Sequence, residues 1–431
     1  MATEQLPMIR TLVTRKDVNL EVGCFCGILD FFPWVRRQFE ITRGHLEVEF
    51  ISVAQLTKQD GFDPEELQRL LREEGKLYFN VGGHNAAGAL DQHGDPRNTS
   101  LARICSLDLA REKYDFVGKR EWLQGVYDAV RLNDTQGTPI PGGRDHNLRR
   151  LMIGVKAVTN GDDQQTLRFL RLGFCGIFEA CKSGGLDFEE AMEPQNIKRG
   201  VTQYCQRLKL DGENEWFGEL IEQAKYGLDQ EFKQAKRAVR QAKELGKTWE
   251  VEVPNMPKQQ LRVIELLSDS LLAAQAARQF GFDIVILQRP ANGERQLGRC
   301  QISCSDIYER DGRDQIATWR LDLGQVAAKL RIASAHLNGA ELEGSFPDWT
   351  KSGNWFWSDG RNSRWYLTEF LTVVMSGSAS SPNMPNHKIR HDRVVGIVVE
   401  NLKYCRKLRK LAGQQEWHHV KRVRNGWEET D

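Results

Sequence analysis

Apolar positions in the first third of the chain follow two rhythms in turn, short strand-length runs and longer stretches spaced for helices. Ile9 to Val13 predicts a first strand. The apolar stretch Val22 to Val35 predicts a helix after it, ending irregularly near Pro33. Leu46, Val48 and Phe50 alternate with polar residues, the period of a strand with one buried face. Asp63-Pro64-Glu65-Glu66 then offers a capping carboxylate, a first-turn proline and acidic residues near the positive end of a helix dipole. Leu67, Leu70 and Leu71 supply that helix's apolar face, and Leu77 to Val81 is a further strand, closed by Gly82-Gly83. Strands alternating with helices predict a mainly parallel sheet, whose ligands collect at the carboxyl ends of its strands.

Helical spacing runs from Thr99 to Val130 and stops at a polar loop rich in Gly, Pro and Asp over 133–147. Residues 148–246 read as almost entirely helical. Phe217, Leu220, Ile221, Ala224, Leu228, Phe232, Ala235, Val239, Ala242 and Leu245 form one stripe on a long helix there. Beyond Gly246 the texture changes. Trp249 to Val253, Asp283 to Leu287, Gln301 to Cys304 and Thr318 to Leu323 have strand character, and Val326, Leu330 and Ala333 are spaced for a helix. Val394 to Val399, a run of strand length, leads into an expected terminal helix. The expected organisation is an α/β domain over 1–147, a helical connector over 148–246 and a smaller α/β or α+β lobe over 247–431 that ends in a basic helix.

Composition narrows the functional classes. With 431 residues, 40% hydrophobic and 28% charged, the chain is long enough for two or three domains with cores. Sixty Lys+Arg against 59 Asp+Glu exclude a uniformly basic coat, so any charge effect is local. No apolar run approaches the roughly 18–20 residues that cross a bilayer, which argues against a membrane partner. The opening residues lack a basic start followed by an apolar stretch, and nine scattered cysteines fit reduced thiols, so a cytoplasmic location is expected.

Candidate chemistry lies at the predicted strand ends: Arg15, Asp17 and Asn19, then Asn80, then Asp91 and His93, and finally Asp134 at a helix end. Sheet topology brings such positions to one edge, where carboxylates and a histidine can hold a divalent cation that activates water beside a phosphate. A second signal is the basic segment from Lys403 to Arg424, with His418 and His419 inside it, which could track a phosphate backbone or form a solvated face. Arg361 and Arg364 lie among Trp355, Phe356, Trp357 and Trp365, a grouping able to stack bases or to fill a core.

The order of the strand-end pieces resembles the DHH phosphoesterase superfamily, in its melanocyte-proliferating-gene-type branch of metal-dependent exonucleases. Val13-Thr14-Arg15-Lys16-Asp17-Val18-Asn19 is similar to a strand followed by His-x-Asp-x-Asp. Phe79-Asn80-Val81-Gly82-Gly83 is similar to the strand ending in Asp-Val-Gly-Gly, and Leu90-Asp91-Gln92-His93-Gly94 to the Asp-His-His motif. The helix end Asp128 to Asp134 resembles the piece that contributes the last metal aspartate. The resemblance implies a DHH-type first lobe and a hydrolase using Mn or Mg on a nucleic acid or a phosphorylated small molecule. Asp17, Asp134, Asn19 and Asn80 would stand at metal positions, and Asp91 and His93 at catalytic ones. Arg15, Arg361, Arg364, Ser376 and Ser378 would stand against substrate, the serines lying in a Ser-rich loop of the second lobe.

The chain departs from that pattern at several ligand positions. Arg15 stands for a ligand histidine, Asn19 and Asn80 for aspartates, and Gln92 for the first histidine of Asp-His-His. Neutral amides coordinate a hard cation without neutralising it, and a fixed guanidinium opposes the cation while favouring a phosphate. Two outcomes stay open: a depleted metal site with weak or altered hydrolysis, or a non-catalytic protein that binds nucleic acid or another anion on the same fold.

Overall fold

A computed structural model describes residues 9–38, 46–51, 64–81, 85–86, 88–91, 104–114, 120–136, 140–141, 146–289, 299–311, 315–342, 344–351, 365–367, 371–376, 388–411, 417–423 and 426–429. The expected site residues His93, Arg361, Arg364 and Ser378 lie outside them, as do Gly82, Gly83 and Gln92. The chain is a mixed α/β protein of two units, and the division falls after Gln230 within one long helix.

The first unit is built on strands β1 (Thr11–Arg15), β2 (Glu47–Ile51), β3 (Lys76–Phe79), β4 (Asn85–Ala86) and β5 (Ala89–Leu90), in the order β2-β1-β3-β5-β4. All are parallel except β4, which returns antiparallel to β5. Alternation along β1 sends Leu12 into the main core and Val13 into a smaller cluster with Leu67, Tyr78, Val81 and Ala89. Both faces of the sheet are therefore covered, as parallel strands require.

Among the described residues the helices run in order α1 (Leu20–Phe31), α2 (Pro33–Gln38), α3 (Pro64–Glu74), α4 (Ser106–Tyr114), α5 (Glu121–Gln136), α6 (Leu148–Val158), α7 (Asp163–Gly184), α8 (Phe188–Ala191), α9 (Pro194–Leu208) and α10 (Asp211–Glu244). Helix α1 is apolar nearly all round, and 11 of its 12 residues are buried, which marks it as a central rather than a surface helix. It is buried partly by α7. A Cβ on Gly23 would come within 2.5 Å of Leu170 Cβ, and one on Gly27 within 2.7 Å of Phe174 Cβ, so glycine sets this close approach.

The helices from 148 onward are not a separate connector. Helices α6, α7, α9 and the first half of α10 belong to the first unit and share its core through Leu151, Phe174, Val201 and Phe217. An apolar stripe on each helix needs a partner, and here α1 supplies it for α7, α7 for α6 and α9, and α6 for α10. Gly176 and Gly200 let the backbones of α7 and α9 touch: a Cβ on Gly200 would lie 2.1 Å from the Gly176 carbonyl oxygen. Gly200→Ala must push two main chains apart, and an unfolding free energy lower by about 1–3 kcal/mol in urea denaturation is the expected result. An unchanged midpoint would mean that the helices separate freely.

The second unit holds β6 (Thr248–Glu252), β7 (Gln260–Leu267), β8 (Ile284–Gln288), β9 (Cys300–Cys304), β10 (Ile307–Asp311), β11 (Gln315–Asp322), β12 (Tyr366–Leu367), β13 (Val373–Ser376), β14 (Arg406–Leu411), β15 (His418–Val423) and β16 (Gly426–Glu429). They form two sheets, β12-β13-β9-β8-β7-β6 and β10-β11-β14-β15-β16, antiparallel throughout except for β7 with β8. Helices α11 (Ala273–Gln279), α12 (Gly324–Asn338), α13 (Phe346–Trp349) and α14 (His391–Asn401) complete it. Strand β7 was not anticipated from the sequence pattern.

Among the described residues the expected basic terminal helix is not found. Val394 to Val399 itself is helical, because Val394, Val395, Ile397 and Val398 recur at helical spacing and are buried. Of the basic residues after it, Lys403 lies in a 3-10 turn, and Arg406, Lys407, Arg409, Lys410, Lys421 and Arg422 occupy strands β14 and β15. Strand β14 is held on both sides, by β11 and by β15, and this pairing over a long sequence separation overrides local helix preference. Consecutive cations are thereby split between two sheet faces, Lys407 and Arg409 on one, Arg406 and Lys410 on the other.

Candidate functional site

Strands β1, β3 and β5 lie side by side and parallel, so their carboxyl ends form one edge carrying Arg15 and Asp17, Asn80, and Asp91. The Asn80 amide N–H donates to the Leu90 carbonyl at 3.0 Å and ties the second and third of these ends together. Asp17 and Asn80 both take left-handed backbone conformations, with φ of 67° and 57°. Asp and Asn are the side-chain-bearing residues that tolerate this region best, and it turns each chain sharply out of its strand.

What these side chains touch differs from a metal cradle. The Lys156 ammonium, on α6, donates to Asp17 Oδ1 at 2.5 Å, so a protein cation already neutralises that carboxylate. The turn is held from its other side by Asp163, which accepts from the Asp17 and Val18 amides at 3.0 Å. Asn19 caps α1, its Oδ1 accepting from the Val22 amide at 3.1 Å. Asn80 directs its amide N–H at Glu21 Oε2, 2.8 Å away.

Glu21 is the residue that the sequence pattern did not single out. It sits in the first turn of α1, is only 1% exposed, and also accepts from the Leu107 amide at 2.7 Å. Burial first, and the Asp134 charge second, push its carboxyl up to about 8, while the Leu107 amide and the Arg15 charge pull the other way. Arg15, Asn80 and Asp134, far apart in sequence, therefore surround one buried acid. An acidic side chain within the apolar run Leu20 to Ile28 was the available signal, since carboxylates are rarely buried without partners.

Arg15 Nε and the Asn80 side-chain oxygen are buried with no hydrogen-bond partner among the described residues. Asp91 is buried at the end of β5. Nearby, Asp108 accepts from the Cys105 amide at 2.8 Å and from the Tyr127 hydroxyl, and burial raises its carboxyl above the ordinary range. Ser376 is not a loop residue: it ends β13 in the second unit, buried and paired in register with Cys300.

The chain matches no protein-family model and no curated protein sequence. The site therefore stands on its own chemistry.

The expected divalent cation finds a poor donor set among the described residues. Of Asp17, Asn19, Asn80 and Asp134, the first is paired with Lys156, the second caps a helix and the third donates to Glu21. No group of three or more His, Cys, Asp or Glu side chains is arranged to hold a metal among these residues. All nine cysteines are buried thiols. No helix of the described residues is long and apolar enough to cross a membrane.

Proposed function

We propose that the strand edge of the first unit binds a phosphate-bearing ligand, a nucleic acid or a phosphorylated small molecule, without hydrolysing it. The observation that carries this reading is Arg15, a fixed cation at the edge beside Glu21, with a buried Nε that has no acceptor among the described residues. A buried N–H without an acceptor costs about 1–3 kcal/mol, which a phosphate oxygen recovers through a charge-assisted bond. Arg15 is the ligand contact, and Lys156 holds the Asp17 turn in place.

Thermal melting of the full chain in chelator, with inorganic phosphate or a phosphomonoester added, tests this. The melting temperature should rise with ligand concentration, as binding to the native state alone requires, and Arg15→Gln should reduce the rise by more than half. A wild type indifferent to both ligands, or an Arg15→Gln variant that responds equally, overturns the reading. Release of nucleotides from single-stranded RNA with Mn²⁺, lost in the Asp17→Ala, Asp134→Ala double variant, would establish hydrolysis instead.

A further inference from the structure

The strand edge makes a second demand of its ligand, at Asn80. Carrying the β1–β3 register, in which Val13 pairs with Tyr78, two residues further puts Arg15 beside Asn80. Asn80 is 3% exposed and cannot turn away: its main-chain N–H donates to the Leu90 carbonyl at 3.0 Å, and its side-chain amide donates to Glu21 Oε2 at 2.8 Å. Glu21 is fixed in turn by the Leu107 amide at 2.7 Å. The other end of the Asn80 side chain, Oδ1, is buried with no hydrogen-bond partner among the described residues, as is Arg15 Nε. One ligand atom of a single kind does not satisfy both. The guanidinium needs an acceptor, the amide oxygen a donor.

A bare phosphate ester meets half of this demand. Above its second pKa of about 6, the phosphate of a monoester carries no proton, so its oxygens accept from Arg15 and are repelled by Asn80 Oδ1. The donor must come from elsewhere in the ligand. A hydroxyl on a carbon near the phosphate supplies it, whereas an ammonium in that place meets the like charge of Arg15. Resting on the phosphate reading above, we propose that the strand edge selects phosphate esters that bear a neighbouring hydroxyl, the chemistry of polyol and sugar phosphates, and that Asn80 is the residue that reads this hydroxyl.

Titration calorimetry of glycerol 3-phosphate and of propyl phosphate into the full chain, in chelator at about pH 7.5, is the test, because the two esters then carry the same charge and differ in their hydroxyls. Glycerol 3-phosphate should bind wild type about fivefold or more tightly, the factor expected when one buried acceptor gains a donor. Asn80→Gly suits the left-handed backbone, with φ of 57° at this position, and removes the acceptor. In that variant the two affinities should fall within about twofold of each other. Circular dichroism establishes that the variant folds, and the wild-type ratio is decisive without it. Equal affinities in wild type overturn the proposal and leave phosphate binding in place. A preference that survives Asn80→Gly overturns the role of Asn80. Binding of neither ester overturns the phosphate reading, and this proposal with it.

Discussion

Glu21→Ala destabilises the first unit by roughly 2–6 kcal/mol, because two buried N–H groups, Leu107 and Asn80 Nδ2, each lose an acceptor at about 1–3 kcal/mol. Glu21→Gln keeps the carbonyl and loses far less. The acid also sets a pH dependence. With a folded-state value of about 8 against 4.5 for the unperturbed group, native Glu21 keeps its proton after the unfolded chain has released it. Its contribution is complete below the unfolded value and disappears as pH rises from there through about 8. Urea denaturation at a series of pH values should show the wild type losing stability over that window and Glu21→Gln losing it much less. Identical slopes for the two proteins would mean that Glu21 is ionised in the native state.

Arg331→Met lowers the stability of the second unit by roughly 3 kcal/mol or more, counted as about 1–3 kcal/mol for each carbonyl that loses a donor. The Arg331 side chain lies on α12 with no exposed surface, and burial pulls its guanidinium down to about 9. It donates to the carbonyls of Trp349 at 2.5 Å, Lys351 at 3.0 Å and Trp365 at 3.3 Å, tying the helix to two distant stretches of chain. Replacing both halves of a buried ion pair by apolar groups can be neutral, but here the backbone half stays behind. A loss below about 1 kcal/mol by chemical denaturation would show that water or another side chain takes over these carbonyls.

The sequence pattern made the strand edge legible for a physical reason: β1, β3 and the stripe of α10 are local periodicities, and parallel topology then dictates where Arg15, Asp17 and Asn80 meet. The partners at that edge were not legible. Nothing in the neighbourhood of Asp17 announces Lys156, 139 residues later, and Asn19 looks like a ligand until its cap to Val22 is seen. Glu21 was hidden by the apolar residues that bury it. In the second unit the run Arg406 to Leu411 has no helix-breaking residue, and only pairing with β11 and β15 decides for a strand. Long-range packing also explains why the helices after residue 148 looked like a connector: their stripes predict a partner without saying that α1 of the first unit is among them.

The central claim is that protein cations hold the strand edge where the motif pattern would place a divalent ion. Titration calorimetry of Mn²⁺ into the full chain measures this directly. Wild type should show no Mn²⁺ binding that Asp134→Asn abolishes, while inorganic phosphate binds in chelator. Stoichiometric Mn²⁺ uptake, lost in Asp17→Asn or Asp134→Asn, would contradict it.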